Sequence, residues 1–262
     1  MHVFDRALRD RRIPIMWWSI GVAIYCAFIV AVWPVIEGND DFEELYADMP
    51  DALQAMFGAD GFTDFTSPAG FLNTYLFSMI LPFIFTGLAI SFASSLLPGE
   101  EEDELLDLVL SYPIRRRDVL LEKALALATA VAMLAIVVVV LLAVAREPVD
   151  LDIGVGGLAS ATLGSVLFAL FHGFAALAAG AATGAKGVAT GVGWGLALAG
   201  YLINIIANLD DSLDWLEPFS PMYWATADSP VTGTVPITYA VLAAGIGVLV
   251  GSALVLFERH DL

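Results

Sequence analysis

Six runs of apolar residues, at about 15–36, 71–97, 120–145, 155–183, 187–208 and 236–257, dominate the 262-residue chain. Each approaches the roughly 20 residues that a helix needs to cross the hydrocarbon core of a bilayer. Inside that core no water reaches the backbone, so each amide and carbonyl has to bond within its own segment, which makes each run a helix. With 59% hydrophobic residues and a mean hydropathy of +0.80, the composition agrees. The expected fold is an all-α integral membrane protein, a single transmembrane domain of six helices. The division between the fourth and fifth runs is the weakest, because "AAGAATGAKGVATGVGWG" offers only Lys186 and glycines as punctuation. Five spans with a re-entrant piece stay open as the alternative.

Orientation follows from the basic residues, which concentrate in cytoplasmic loops. With the N-terminus inside, Arg6, Arg9, Arg11, Arg12, Arg115, Arg116, Arg117, Lys123, Lys186 and Arg259 all face the cytoplasm, leaving Arg146 alone outside. The arginines of the first segment and Arg259 want the same side, which also requires an even number of spans. The expectation is a multi-pass protein of the cytoplasmic membrane with both termini in the cytoplasm. The start, "MHVFDRALRDRRIPIMWW", has the basic-then-apolar order of a signal peptide. However, the run that follows is long enough to span and lacks a small-residue cleavage site, so it reads as a retained first span.

The chain carries 29 Asp+Glu against 11 Lys+Arg, which argues against a nucleic-acid partner. The external loops 37–70, 146–154 and 209–235 hold 9, 3 and 5 of the acids. Such acidic surfaces fit a high-salt habitat, as of a halophilic archaeon, where screening makes repulsion tolerable. Loop 37–70 mixes its acids with Leu53, Met56, Phe57, Phe62 and Phe65, the pattern of a short amphipathic helix on the outer surface. Trp17, Trp18, Trp33, Trp215, Tyr223 and Trp224 fall near span ends, as an interfacial aromatic belt would. Cys26, the single cysteine, sits in an apolar run, excluding an intrachain disulfide and leaving no Cys/His zinc set.

One internal connection gathers most of the cytoplasmic charge: "EEEDELLDLVLSYPIRRRDVLLEK", residues 100–123. Pro98-Gly99 ends the second span, and Glu100 to Glu104 suit the positive end of a following helix. Leu105, Leu106, Leu108, Val109 and Leu110 give that helix an apolar side, and Tyr112-Pro113 stops it. Arg115, Arg116 and Arg117 then anchor the third span at the inner interface and are placed to pair with the upstream acids.

Acids, a leucine-rich helix, a proline, basic residues and then a lysine in "LLEKAL" resemble the cytoplasmic connection of the ABC-2 family of ABC-transporter permeases, whose pattern runs roughly E-E-x-x-G-T-L-x-L-L-L-S-x-P-I-S-R. Glu101 and Glu102 match its acids, Leu105 to Leu110 its helix, Ser111, Pro113 and Ile114 its S-x-P-I, Arg115 to Arg117 its basic cluster and Lys123 its lysine. Asp103-Glu104 replaces the family's Gly-Thr. The basic first segment resembles the family's elbow helix at the membrane surface. "SPAGFLNTYLFSMILPFIF" resembles the start of its second span, "WLEPFSPMYW" its last external loop and "FERHDL" its F-x-R-R-D-L ending. The resemblance implies a cytoplasmic coupling helix that docks on an ABC ATP-binding subunit, carried by Glu100, Glu101, Glu102, Leu105, Leu106, Leu108, Leu110 and Pro113, with Arg115, Arg116 and Arg117 as its anchor. It also implies a second permease copy or a paralogue in the same bilayer, and ATP and Mg held by the partner subunit rather than by this chain.

No G-x-x-x-x-G-K-[ST], H-E-x-x-H or G-x-S-x-G is present, and no paired carboxylates stand in the spans, so the residues show neither a nucleotide cradle nor a catalytic constellation. His172 and Asn204 are the candidate path-lining groups, since polar side chains inside spans are the usual functional pointers. Asn73 and Asn208 read as interfacial or interhelical bonds. Spacings such as Gly180-xxx-Gly184 and Gly191-xxx-Gly195 allow close helix approach, either within one subunit or across a homodimer seam. The function expected is a permease subunit of an ATP-driven exporter; an ion-coupled transporter and a non-transporting scaffold are the rivals.

Overall fold

The computed structural model describes residues 3–37, 67–102, 115–227, 231 and 233–259. Among them there is no strand, and six helical stretches are long and apolar enough to cross a membrane. Helix α1 (Val3–Asp10) precedes α2 (Arg12–Ile36), the first span. The second span is composite: α3 (Pro68–Leu72), a π-helical turn (Asn73–Phe77) and α4 (Ile80–Leu96). A short α5 (Pro98–Glu102) leads out of it. Then come α6 (Arg116–Ala145), α7 (Val155–Thr183) and α8 (Lys186–Ala207). A 3-10 stretch (Asp211–Phe219), α9 (Pro221–Thr226) and α10 (Tyr239–Arg259) complete the order. The chain is a multi-pass, all-helical membrane protein.

Helix α7 is the axis of the bundle, touching α4, α6, α8 and α10. Its glycines and alanines explain why. A Cβ on Gly173 would stand 2.9 Å from Cβ of Ala89 on α4, and one on Gly180 would stand 2.7 Å from the Pro98 ring. Small residues let backbones approach, and in lipid such packing is the main attraction between helices. Most residues of the second span are buried in the bundle and few of those of α10 are, so the latter is peripheral. Outward-facing Ile24, Phe28, Ile136, Val140, Val144 and Val248 are exposed. Water would penalise an apolar surface of this extent, whereas lipid does not.

The glycines divide into two sets. Gly164, Gly173, Gly180, Gly193 and Gly200 press against neighbouring helices or loops, while Gly187, Gly191 and Gly195 on α8 have nothing within 4 Å. The close-packing role therefore belongs to the first set, and the second forms an open stripe at spacing four.

The second span is broken near its start. Ser67 caps α3 by accepting from the Gly70 amide at 3.1 Å, with Pro68 in the first turn, where its missing amide costs nothing. The Ser78 amide then bonds to the Asn73 carbonyl at 2.7 Å, five residues back, and the Ser78 hydroxyl donates to the same oxygen at 2.8 Å. Met79 takes φ −143 and ψ −53 before α4 begins. The Tyr25 hydroxyl on α2 satisfies the Tyr75 carbonyl at 2.8 Å. A π turn of this kind re-aims the helix and commonly marks functional places.

In the connection between α8 and α10, Ser220 caps α9, accepting from the Met222 and Tyr223 amides and donating to the Gly200 carbonyl at 2.8 Å. Asp210 caps the 3-10 stretch, and hydrogen bonds from Ser212 hold its carboxyl below the usual carboxylate range.

Candidate functional site

The residues linking the second and third spans begin in a knot of close contacts. The last residues of α4 deliver Pro98 onto Gly180 of α7, and Gly99 sits against the Ser94 carbonyl. Three consecutive glutamates then diverge. Glu100 Oε2 lies 2.6 Å from Nζ of Lys123, two turns into α6. The same ammonium donates to the Leu96 carbonyl at 2.8 Å, one of the acceptors that the end of α4 leaves without an intrahelical partner. Lys123 is fully buried, while the Glu100 side chain keeps 22% exposure.

Glu101 lies against Gly184, the residue that closes α7 at φ +64. A side chain there is opposed both by the left-handed backbone and by the carboxylate. Glu102 Oε1 accepts from the Lys186 amide at 2.8 Å, placing a negative charge at the N-terminus of α8, where unpaired amides and the helix dipole favour it. One short helix thus contacts α6, the α7–α8 turn and the start of α8.

Neighbouring elements close around this knot. The Phe4 amide donates to Glu122 Oε2 at 2.9 Å, fastening α1 to α6. Phe4 and Leu8 of α1 pack on the core, with Ala7 buried between them. The Arg116 guanidinium stands 6.0 Å from the Phe257 ring near the end of α10, a range in which cation–π attraction operates. Arg115 and Arg117 are exposed. The first helix, the start of the third span and the end of the sixth therefore share one end of the bundle.

The expected coupling residues are distributed as follows. Glu100, Glu101 and Glu102 come together with Lys123, Gly184 and the Lys186 amide. Glu100 is matched to Lys123, and Glu102 to a backbone amide, where sequence reading had looked to the arginine triplet. Leu105, Leu106, Leu108, Leu110 and Pro113 lie outside the described residues, as does loop 38–66. Sequence reasoning gave Lys123 no partner, although a lysine just inside an apolar run is itself a signal, because an ionised group there needs one.

A second feature lies beside the break in the second span. An apolar cavity of about 470 Å³, open to the outer surface of the bundle, is lined by Trp18, Met79, Phe83, Trp194, Leu198 and Tyr201, among others. The Tyr201 hydroxyl meets Met79 Sδ at 2.9 Å, and Phe83 packs edge-on to Tyr201 and stacks near Trp194. A Cβ on Gly87 would run into the Trp18 ring, so glycine there admits the indole. His172 stands behind this wall, 4.4 Å from Phe168 by ring centroids, with Phe168 next to Phe83. It is fully buried, its Nδ1 is 2.8 Å from the Phe168 carbonyl, and its Nε2 has no partner. Asn204 is buried on α8, one turn from Tyr201. Neither His172 nor Asn204 lines the cavity.

Among the described residues no group of three or more His, Cys, Asp or Glu side chains is placed to hold a metal ion. No curated protein matches the chain significantly. The family model described as ABC-2 family transporter protein matches residues 2–262, from the first helix through the knot to the final span. The six helices and a match of that length make the chain a member of the ABC-2 family of transporter membrane proteins.

Proposed function

We propose that this chain is the permease subunit of an ATP-driven exporter of the cytoplasmic membrane, working with a separate ABC ATP-binding subunit that holds ATP and Mg. The observation that carries the reading is the family match over the whole chain. The knot at residues 98–102 supports it, because a segment meant to transmit a partner's closure needs a stem fixed to the spans. Residues Glu100 to Ile114 form the coupling element, and Arg115 to Arg117 anchor it at the inner surface. In this orientation both termini are cytoplasmic, and α1 is the elbow helix at that surface.

Two membrane halves, this chain with a second copy or a paralogue, enclose the path and expose it alternately to the two sides. The open stripe Gly187, Gly191 and Gly195 on α8 supports a helix-to-helix seam. The aromatic cavity and the re-aimed second span beside it are the part of the path that a lipophilic substrate would meet. An ion-driven relay has less support, since the buried polar side chains of the described residues include no carboxylate.

The test is extraction of the tagged chain in mild detergent with high salt, followed by identification of co-eluting proteins. An ATP-binding protein retained by the native chain and lost from Arg115→Glu/Arg116→Glu/Arg117→Glu, correctly inserted, supports the assignment. Flux that persists without any ATPase would reject it.

A further inference from the structure

We propose that Lys123 is a positioning residue for coupling, its buried ammonium locking the stem 98–102 to the third span so that the two move as one body. The inference rests on the permease reading above and adds how the partner's motion enters the spans. A lysine serving only as a membrane anchor extends its stem and keeps the ammonium in water. Lys123 does the reverse: Nζ is turned inward, 2.6 Å from Glu100 Oε2 and 2.8 Å from the Leu96 carbonyl.

Those two acceptors lie on either side of the Leu97–Pro98 junction, where α4 gives way to α5. One ammonium therefore bridges the last turn of the second span, the stem of the cytoplasmic segment and the first turns of the third span. Removing the lysine charge from water, with its carboxylate partner mostly covered, is costly, and an apolar pair of similar volume often serves stability as well or better. A buried pair at this junction is thus better suited to fixing a geometry than to adding stability.

The other contacts of the stem make the lock directional. Pro98 bears on Gly180, and Glu102 holds the Lys186 amide, so α7 and α8 fix the far side of the same short helix. A push on the stem reaches α7 and α8 without Lys123, whereas Lys123 gives the stem its direct tie to α6, beside the packing of α6 on α4 and α7. Loss of the ammonium removes that direct tie between the third span and the stem while leaving the stem seated on α7 and α8.

The experiment compares native chain, Lys123→Met, Lys123→Gln and Lys123→Arg, each with its co-purifying ATP-binding subunit in nanodiscs. Leu134→Ala serves as a control, a buried residue of the same helix away from the stem. Partner retention, thermal midpoint and permease-dependent ATP hydrolysis are measured below the lowest midpoint. Lys123→Met and Lys123→Gln are expected to retain the partner but lose at least about tenfold in hydrolysis, equivalent to roughly 1.4 kcal/mol, while Lys123→Arg stays within about threefold. Leu134→Ala is expected to lower the midpoint and leave hydrolysis near native. Native rates in Lys123→Met or Lys123→Gln, or an equal loss in Leu134→Ala, would overturn the inference. If the native chain retains no ATP-binding protein at all, the permease reading itself fails and this inference with it.

Discussion

Two basic side chains mark the two ends of the third span, and they are used differently. Lys123 is buried and bonds to Glu100, 23 residues away and on another helix. Arg146 at the opposite end pairs with the adjacent Glu147 at 3.0 Å and donates to the Ile153 carbonyl, seven residues on. The first pair joins helices, and the second closes a turn upon itself. A long-range pair fixes how helices sit relative to one another, whereas a local pair fixes only the course of a connection. The end with the long-range pair is also the end that gathers α1, the start of α6, the end of α10 and the α7–α8 turn.

The largest expected effect is at Lys123. Replacing it with methionine leaves Glu100 without its counter-charge and the Leu96 carbonyl without a donor. Breaking a buried pair by removing one partner is costly, and with Glu100 part-exposed and able to rehydrate the loss should be about 3 kcal/mol. Denaturant titration of the purified chain measures it. Next is Gly184→Ala, which places a side chain at φ +64 and against Glu101. The left-handed backbone alone costs about 1–2 kcal/mol, and the contact with the carboxylate adds to it. If Gly184→Ala proved neutral, the α7–α8 turn would not be the tight element that the contrast between the two ends assumes.

How much of this was legible in sequence depends on the range of the interaction. The six spans were readable because solvent exclusion acts on contiguous apolar residues, and runs such as 120–145 and 236–257 carry that signal by themselves. The acids at 100–102 were equally visible, but their partners were not. Lys186 lies 84 residues from Glu102, and only the packing of α5 against the α7–α8 turn brings its amide there. The break at Asn73–Phe77 also left no mark, since the π turn is held by Ser78 and Tyr25 rather than by a proline within it. Spacing alone did not separate Gly193, which presses on Ile90, from Gly191 and Gly195, which touch nothing. Facing direction is decided by neighbouring helices, which a single run cannot report.

Smaller effects sharpen the comparison. Glu102→Gln keeps an acceptor for the Lys186 amide but removes the charge from the start of α8. Because Glu102 is exposed, water screens much of that interaction, and a loss of about 0.5 kcal/mol is expected, shrinking further in high salt.

Glu147→Gln should have the smallest effect. Its partner Arg146 keeps the Ile153 carbonyl when the carboxylate is gone, so the turn retains its longer-range bond. The Glu147 side chain is 71% exposed, and pairs of this kind typically contribute between about 0 and 1 kcal/mol. A change near 0.3 kcal/mol, at the limit of a denaturant titration, is expected, with no change in partner retention. A loss approaching that of Lys123→Met would mean that the 146–153 connection also fixes helix positions, and the two ends of the third span would no longer differ in kind. A negligible loss beside a large one at Lys123 would place the rigid junction of the bundle where the segment linking the second and third spans begins.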